Sequence, residues 1–518
     1  MTLAATIAVT DACGRTLTLP ADPALTLAQA AYLSGHWSAP ALCSGLGRCG
    51  RCRVRFLDAP PAPVPGEDAV LSAQELAAGW RLGCRHAALP GAAVLLPARP
   101  VAPAPAPAPG GPPLALAVDL GTTTIHWQAL GPDGAPVAEG GLLNPQMGAG
   151  SEVMSRLALA RSGAAQHLRA LVLDALAGVA RALPGPVARL AVAGNPAMTS
   201  LLLGLPVDGL AVAPYRLDYA GGREEPLGPG LPPAYVPPQL APFVGGDLSA
   251  GLAALALGAA GPVPAAPFLL ADMGTNGEFL LARADGALLA ASVPLGPALE
   301  GVGLTHGNVA GPGAITRFAL TPTGLEATTL DGAAPSRAAG LTGTAYLSLL
   351  AHLLRLGLVN AQGQFRPGAT PLGARLAERI EVRGGERVFT LFDGMALSGA
   401  DVEEVLKVKA AFNLALSRLL AEAGLRPGAL AALCLAGALG AHVAVDDLET
   451  LGFIPAGLGT RVRAVGNTSL AGARLLLADP QARAWAEALP ARVRTLDLTG
   501  DPAFGQEFVG RMRFSFVP

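Results

Sequence analysis

Four of the six cysteines fall into one pattern. Cys43, Cys49 and Cys52 stand in Cys-Ser-Gly-Leu-Gly-Arg-Cys-Gly-Arg-Cys, and Cys84 follows in Gly79-Trp-Arg-Leu-Gly-Cys84, a C-x5-C-x2-C…C spacing. Four thiolates suit either zinc or an iron–sulfur cluster. A zinc site built on cysteines alone usually pairs two close C-x2-C knuckles, whereas here the fourth cysteine is solitary, which favours the cluster. Thiolates and bridging sulfides carry negative charge, so Gly45, Gly47 and Gly50 would let the backbone wrap closely and aim N–H groups at sulfur. Cys13 and Cys434 lack matching partners and read as packed apolar side chains. Arg48, Arg51, Arg53 and Arg55 surround the loop and read as a solvated face before a docking face for an acidic partner. A second chemistry is written twice, in Asp119-Leu-Gly-Thr-Thr-Thr124 and Asp272-Met-Gly-Thr-Asn-Gly-Glu278. Each puts a carboxylate at a strand end before a tight turn whose hydroxyls and N–H groups can embrace phosphates. A P-loop does not compete, because its Gly-x4-Gly-Lys-Ser/Thr pattern is missing.

These groups need elements to hold them. With 518 residues the chain has room for about three compact units at roughly 150 residues each. Residues 97–113 alternate Ala and Pro and contain no core-forming run, so they read as a semi-rigid polyproline spacer. This divides the chain into a cysteine-bearing domain at 1–96, the linker at 97–113, a middle domain at 114–265 and a C-terminal domain at 266–518. Short strands precede the linker, with Thr6–Thr10 alternating like the edge of a sheet; strand and helix patterns alternate after it, which reads as α/β architecture. The shared strand-Asp-x-Gly-Thr pattern of Leu114–Thr124 and Phe268–Gly277 implies two copies of one fold.

Composition removes several function classes. Apolar residues reach 51% and charged ones 14%, but Gly 66 and Pro 47 share the excess, and the longest apolar stretch, Leu248–Ala271, is broken by both. It is not a spanning helix, and no membrane partner is expected. The N-terminus lacks a basic segment before an apolar one, so a cytoplasmic location is expected. Lys+Arg 36 against Asp+Glu 38 leaves no electrostatic footprint for nucleic acid.

The cysteine spacing is one residue longer than the C-x4-C-x2-C of plant-type ferredoxins and resembles the [2Fe–2S] ferredoxins that serve monooxygenases. This resemblance implies an α+β, β-grasp domain. The two Asp-Gly-Thr loops resemble phosphate loops 1 and 2 of the superfamily of sugar kinases, heat-shock chaperones and actin, an α/β ATPase built from two RNase H-like halves. Val244–Ala256 resembles its first connecting helix, Leu430–Gly440 its adenosine motif with Gly437 and Gly440, and Gly466–Ala473 its second connecting helix. The resemblance implies ATP and Mg2+. Asp119 and Asp272 would hold the ion; Gly121, Thr122, Thr123, Thr124, Gly274, Thr275, Asn276, Gly277 and Glu278 would line the phosphates. Asp247 would be the base, with Glu300 a further candidate.

The whole order of parts resembles the reductive activators of corrinoid proteins. Asn144-Pro-Gln146, Gly150-Ser-Glu-Val-Met-Ser-Arg156, Gly194–Gly204, Gly296–Gly301 and Gly466–Ser469 add to the match. Pro196, Ala197, Thr199 and Ser200 depart from the Thr and His residues the family often carries in the third of these. The resemblance implies ATP-dependent electron transfer from the cluster to cob(II)alamin of a corrinoid methyltransferase, restoring cob(I)alamin. It also implies an external electron donor and a homodimer. The alternatives are an ATP-coupled electron donor to a non-corrinoid metalloenzyme and a nucleotide-sensing redox binding protein.

Overall fold

The computed structural model describes residues 6–11, 14–34, 45, 47, 50–68, 70–97, 110–383 and 385–518. In the N-terminal domain the strand order is Thr16–Pro20, Thr6–Thr10, Ala93–Leu95, Arg53–Phe56, Trp80–Leu82. Thr6–Thr10 is a strand but not an edge. It pairs antiparallel with Thr16–Pro20 on one side and parallel with Ala93–Leu95 on the other. Its alternation reports one buried face, carried by Ile7 and Val9, and interior strands of a half-covered sheet share that pattern. Helix Leu27–Leu33 packs on this sheet and starts at a capping box in which Thr26 and Gln29 satisfy each other's backbone N–H groups. The arrangement is the ferredoxin-like β-grasp. Most of the Ala/Pro linker lies outside the described residues; its end is tied down where Gly111 N donates to Pro184 O at 3.0 Å.

Beyond the linker two six-stranded sheets repeat one topology. In the first, Leu114–Leu120, Thr124–Leu130 and Pro136–Leu143 form an antiparallel meander, and Val187–Ala193 adds parallel to the first strand. In the second, Phe268–Met273, Asn276–Ala282 and Leu288–Pro294 form the meander, and Ala432–Ala436 adds parallel. These are the two RNase H-like halves. Helices Gly246–Ala256 and Thr468–Ala478 cross between them at very short range: a Cβ on Gly472 would stand 2.0 Å from the Ala250 carbonyl oxygen, and one on Gly251 would stand 2.7 Å from Thr468 Oγ1. Glycine at both positions lets the backbones meet, and the core around Leu248, Leu252, Ala473 and Leu476 joins strands of both halves.

The second half also carries two three-stranded sheets and the long helix Gly399–Glu422. Asp401 serves two segments there. It completes the capping box with Ser398 and accepts from Thr305 N at 2.7 Å, which ties the glycine-rich loop after Glu300 to the helix. Among the described residues no helix is long and apolar enough to cross a membrane.

Candidate functional site

The hairpin registers place the acidic residues. Asp119 is the penultimate residue of its strand, opposite His126, and Asp272 lies opposite Glu278, so the carboxylates leave each sheet beside the tight turns at 121–123 and 274–275. Asp247 enters from the first turn of Gly246–Ala256, and Glu300 from a 3-10 turn. All five carboxyls are pushed above the ordinary carboxylate range, because burial disfavours charge. Asp247 goes up to about 7 and Asp272 up to about 8, each with added repulsion from neighbouring acids. Glu278 rises well above its usual value, and Asp119 and Glu300 also rise.

Asp119 has the firmest support. Asn467 Nδ2 donates to it at 2.7 Å and Ser469 Oγ at 2.8 Å, both from the start of the second connecting helix. These hydrogen bonds favour the ionised form and partly offset burial. The Gly466-Asn-Thr-Ser469 motif thereby acquires a concrete task that composition and spacing did not reveal. Asp247 Oδ1 accepts from Leu248 N at 2.9 Å.

The turns face each other across the two halves. Thr123 Oγ1 and Thr275 Oγ1 are 3.3 Å apart, and the Thr275 hydroxyl donates to Glu300 Oε1 at 3.1 Å. Asn195 Nδ2 donates to Thr122 Oγ1 at 3.2 Å. Thr124, Asn276, Gly277 and Glu278 lie in the outgoing strands rather than in the turns. Gly277 is a packing residue: a Cβ there would fall 2.8 Å from Leu295 Cδ1. Gly440 likewise turns toward Leu435, at 2.7 Å from its carbonyl carbon, whereas Gly437, with φ +82°, has its α-carbon beside the Asp272 carboxylate. The glycines expected to line the nucleotide therefore split, because strand alternation and helix rotation turn Gly277 and Gly440 toward the core.

The donor set fits a hydrated magnesium ion with a polyphosphate. Glu278 Oε1 and Glu300 Oε2 are buried without a hydrogen-bond partner, and five crowded carboxyls call for a cation. Among the described residues no three His, Cys, Asp or Glu side chains converge into a metal cage. Magnesium does not need one, since it keeps several waters and takes its remaining ligands from one or two carboxylates and the phosphates.

At the other centre, Cys52 and Cys84 are buried at the ends of adjacent strands, joined where Gly83 N donates to Cys52 O at 2.8 Å. Cys43 and Cys49 lie outside the described residues, as do Cys13 and Arg48. Gly47 and Gly50 hold φ of +76° and +66°, and a Cβ on them would press on Arg85 and Val70 at 3.0 and 2.9 Å. A loop drawn in this tightly around two buried thiols fits a cluster. The arginines beside it are largely engaged within the protein: Arg53 pairs with Glu75 at 2.6 Å, Arg55 donates to Ala78 O at 3.0 Å, and Arg51 reaches Asn308 of the second half at 2.5 Å. Cys434 sits in the core strand Ala432–Ala436, its thiol pushed up to about 11 by burial.

Comparison with known proteins places these parts. Residues 10–89 match the 2Fe-2S iron-sulfur cluster binding domain, residues 114–259 the RACo middle region, and residues 266–516 the C-terminal domain of RACo, the ASKHA domain. The chain is 27% identical over 430 residues to the corrinoid activation enzyme RamQ of Eubacterium limosum, covering 78% of this chain and 70% of that one. It is 29% identical over 325 residues to the [Co(II) methylated amine-specific corrinoid protein] reductase of Methanosarcina barkeri, covering 56% of each. A solved structure described as a reductive activator for corrinoid, iron-sulfur protein shares the fold with a TM-score of 0.67 at 22% identity, over 98% of both chains.

Proposed function

The chain belongs to the RACo family, carrying its middle region and C-terminal ASKHA domain in order behind a 2Fe-2S domain, and we propose that it is an ATP-dependent reductive activator of a corrinoid protein. Its substrate is the inactive cob(II)alamin of a corrinoid methyltransferase, which it returns to cob(I)alamin. The observation that carries this reading is the union on one chain of buried Cys52 and Cys84 on a glycine-drawn loop with two Asp-Gly-Thr turns meeting at Thr123 and Thr275. The relatives named above supply the class of client.

Cys43, Cys49, Cys52 and Cys84 would hold the [2Fe–2S] cluster. When bound, such a cluster supplies one electron at about −400 mV if it is of the plant type. Delivery to a corrinoid that is harder to reduce needs a second free-energy source, and the two-lobed cleft provides it through different nucleotide affinities in two conformations. Gly121, Thr122, Thr123, Gly274, Thr275 and Asn276 would cradle the phosphates. Asp119, oriented by Asn467 and Ser469, and Asp272 would hold hydrated Mg2+. Asp247, poised near neutrality, is suited to orient the attacking water and take its proton. An external low-potential donor would refill the cluster, and the activator would work as a cytoplasmic homodimer.

The test is anaerobic optical spectroscopy of a cob(II)alamin-loaded corrinoid methyltransferase mixed with this protein, reductant and Mg-ATP. Cob(I)alamin, or methylcobalamin in the presence of a methyl donor, should form only with ATP and only with the cluster intact. Equal rates with and without Mg-ATP would sink the proposal.

A further inference from the structure

The segments Asn144-Pro145-Gln146 and Gly150–Arg156 supply none of the carboxylates or thiolates, yet they lie between the two centres. Three consecutive carbonyls of the first phosphate turn are held from behind by them. Asn144 Nδ2 donates to Gly121 O at 2.8 Å, Arg156 Nη2 to Thr122 O at 2.5 Å, and Asn144 N to Thr123 O at 2.8 Å. Arg156 also donates through Nε to Gly150 O at 2.9 Å, so one guanidinium clamps the phosphate turn to the far end of the 3-10 turn Pro145–Ala149. Arg156 is 0% exposed, and among the described residues no carboxylate lies within ion-pair distance of it. A cation buried on carbonyls alone is costly and is retained where geometry matters.

The outer face of the same 3-10 turn is the seat of the cluster domain. Tyr32, from helix Leu27–Leu33 of that domain, donates its hydroxyl to Pro145 O at 2.6 Å. Its ring lies so close over Gly148 that a Cβ there would fall 2.0 Å from Tyr32 Cδ2. It meets His167 edge-on at 5.7 Å, and it packs with the core of the first half rather than with that of its own domain. A second anchor lies on the other half, where Arg51, next to Cys52, donates to Asn308. The cluster domain thus straddles both lobes.

We propose that Arg156 is a positioning residue that couples the first phosphate turn to the seat of the cluster domain, so that nucleotide binding and docking through Tyr32 oppose each other. This rests on the nucleotide reading above. The sign follows from the structure. With the domain docked, the hydroxyls of Thr123 and Thr275 meet where phosphates would have to enter. Parting them moves the first turn, and with it Asn144, Arg156 and the Tyr32 seat, relative to Asn308 on the second half. The cluster domain cannot follow both anchors and is released toward a partner. Linkage is reciprocal, so loss of docking must tighten nucleotide binding by the same factor.

The experiment measures Mg-AMPPNP affinity by calorimetry on the full-length holoprotein and on Tyr32→Ala, Tyr32→Phe and Asn308→Ala, each checked for intact cluster absorption. Tyr32→Ala should tighten binding about fivefold or more, the lower end of typical coupling, with Tyr32→Phe changing it less. In an Arg156→Lys background, which keeps the charge but cannot span both carbonyls, the Tyr32→Ala effect should fall below about twofold. In the wild type, Mg-AMPPNP should speed hydrogen exchange of residues 27–33, a readout that needs no substitution. Unchanged or weaker affinity in Tyr32→Ala together with unchanged exchange overturns the coupling while leaving the nucleotide site intact. A wild type that does not bind Mg-AMPPNP overturns the proposed function as well.

Discussion

Replacing Asp272 by Asn removes an acid that the ligand-free fold holds protonated. Its carboxyl rises from 3.8 to about 8 because it is buried among Asp247, Asp119 and Glu300. At neutral pH the unfolded chain leaves this group ionised, so folding must capture a proton across about 3 pKa units, at 1.36 kcal/mol per unit. That is about 4 kcal/mol as an upper bound; with the higher effective dielectric that describes real interiors it becomes about 1–2 kcal/mol. Asn needs no proton, so Asp272→Asn should raise the melting temperature of the ligand-free ATPase region by roughly 2–8 °C near pH 7. The sign with pH is fixed: a raised acid pKa means the folded state binds more protons between about pH 4 and 8, so wild-type stability falls as pH rises through that window. The gain from Asn should therefore shrink toward about pH 5 and grow toward about pH 8. Mg-ATP should reverse the ranking, because the ion takes the place of the proton in the wild type only. Differential scanning fluorimetry across this pH range, with and without Mg-AMPPNP, reads both effects. A variant less stable than wild type at every pH, or one that keeps the full stabilisation by Mg-AMPPNP, would refute the assignment of Asp272 to the ion.

Three further outcomes follow from the same geometry. Ser469→Ala removes a hydroxyl bound to ionised Asp119, raising its pKa further and weakening Mg-nucleotide binding about tenfold, with the binding optimum shifted to higher pH; calorimetry at several pH values reads both. Gly472→Ala forces a Cβ against the Ala250 carbonyl, costing about 1–3 kcal/mol in chemical denaturation and weakening nucleotide binding, because the same helix carries Asn467 and Ser469. Cys84→Ser should abolish the visible absorption and reduced-state EPR signal of the cluster while leaving Mg-AMPPNP affinity within about threefold, since Cys84 lies in the core of the N-terminal domain.

Much of the site was legible because chemistry constrains residue type over short spans. Thiolates at C-x5-C-x2-C with glycines between them, and Asp-x-Gly-Thr after an apolar strand, occupy a few residues each, and their repetition announced two halves before any coordinate. What alternation could not tell was which side of a strand would be covered and by what. Thr6–Thr10 read as an edge though it has partners on both sides, and Gly277 read as a phosphate residue though it faces Leu295. Asn467, Ser469, Asn144 and Arg156 stood inside recognised motifs without roles, because each acts on a backbone or side chain far away in the chain.

The sequence alone thus determined the cluster ligand pattern, the twin phosphate turns, the break at the Ala/Pro linker and the order of the parts, since all of these are local choices of residue and spacing. Only the tertiary structure decided that Asp119 is gripped across 348 positions by Asn467, that five carboxyls gather out of water, and that Tyr32 leaves its own domain's core for a turn clamped to the first phosphate loop. Such pairings are set by how the two halves and the cluster domain pack together, and no local pattern encodes which distant surface a side chain will meet.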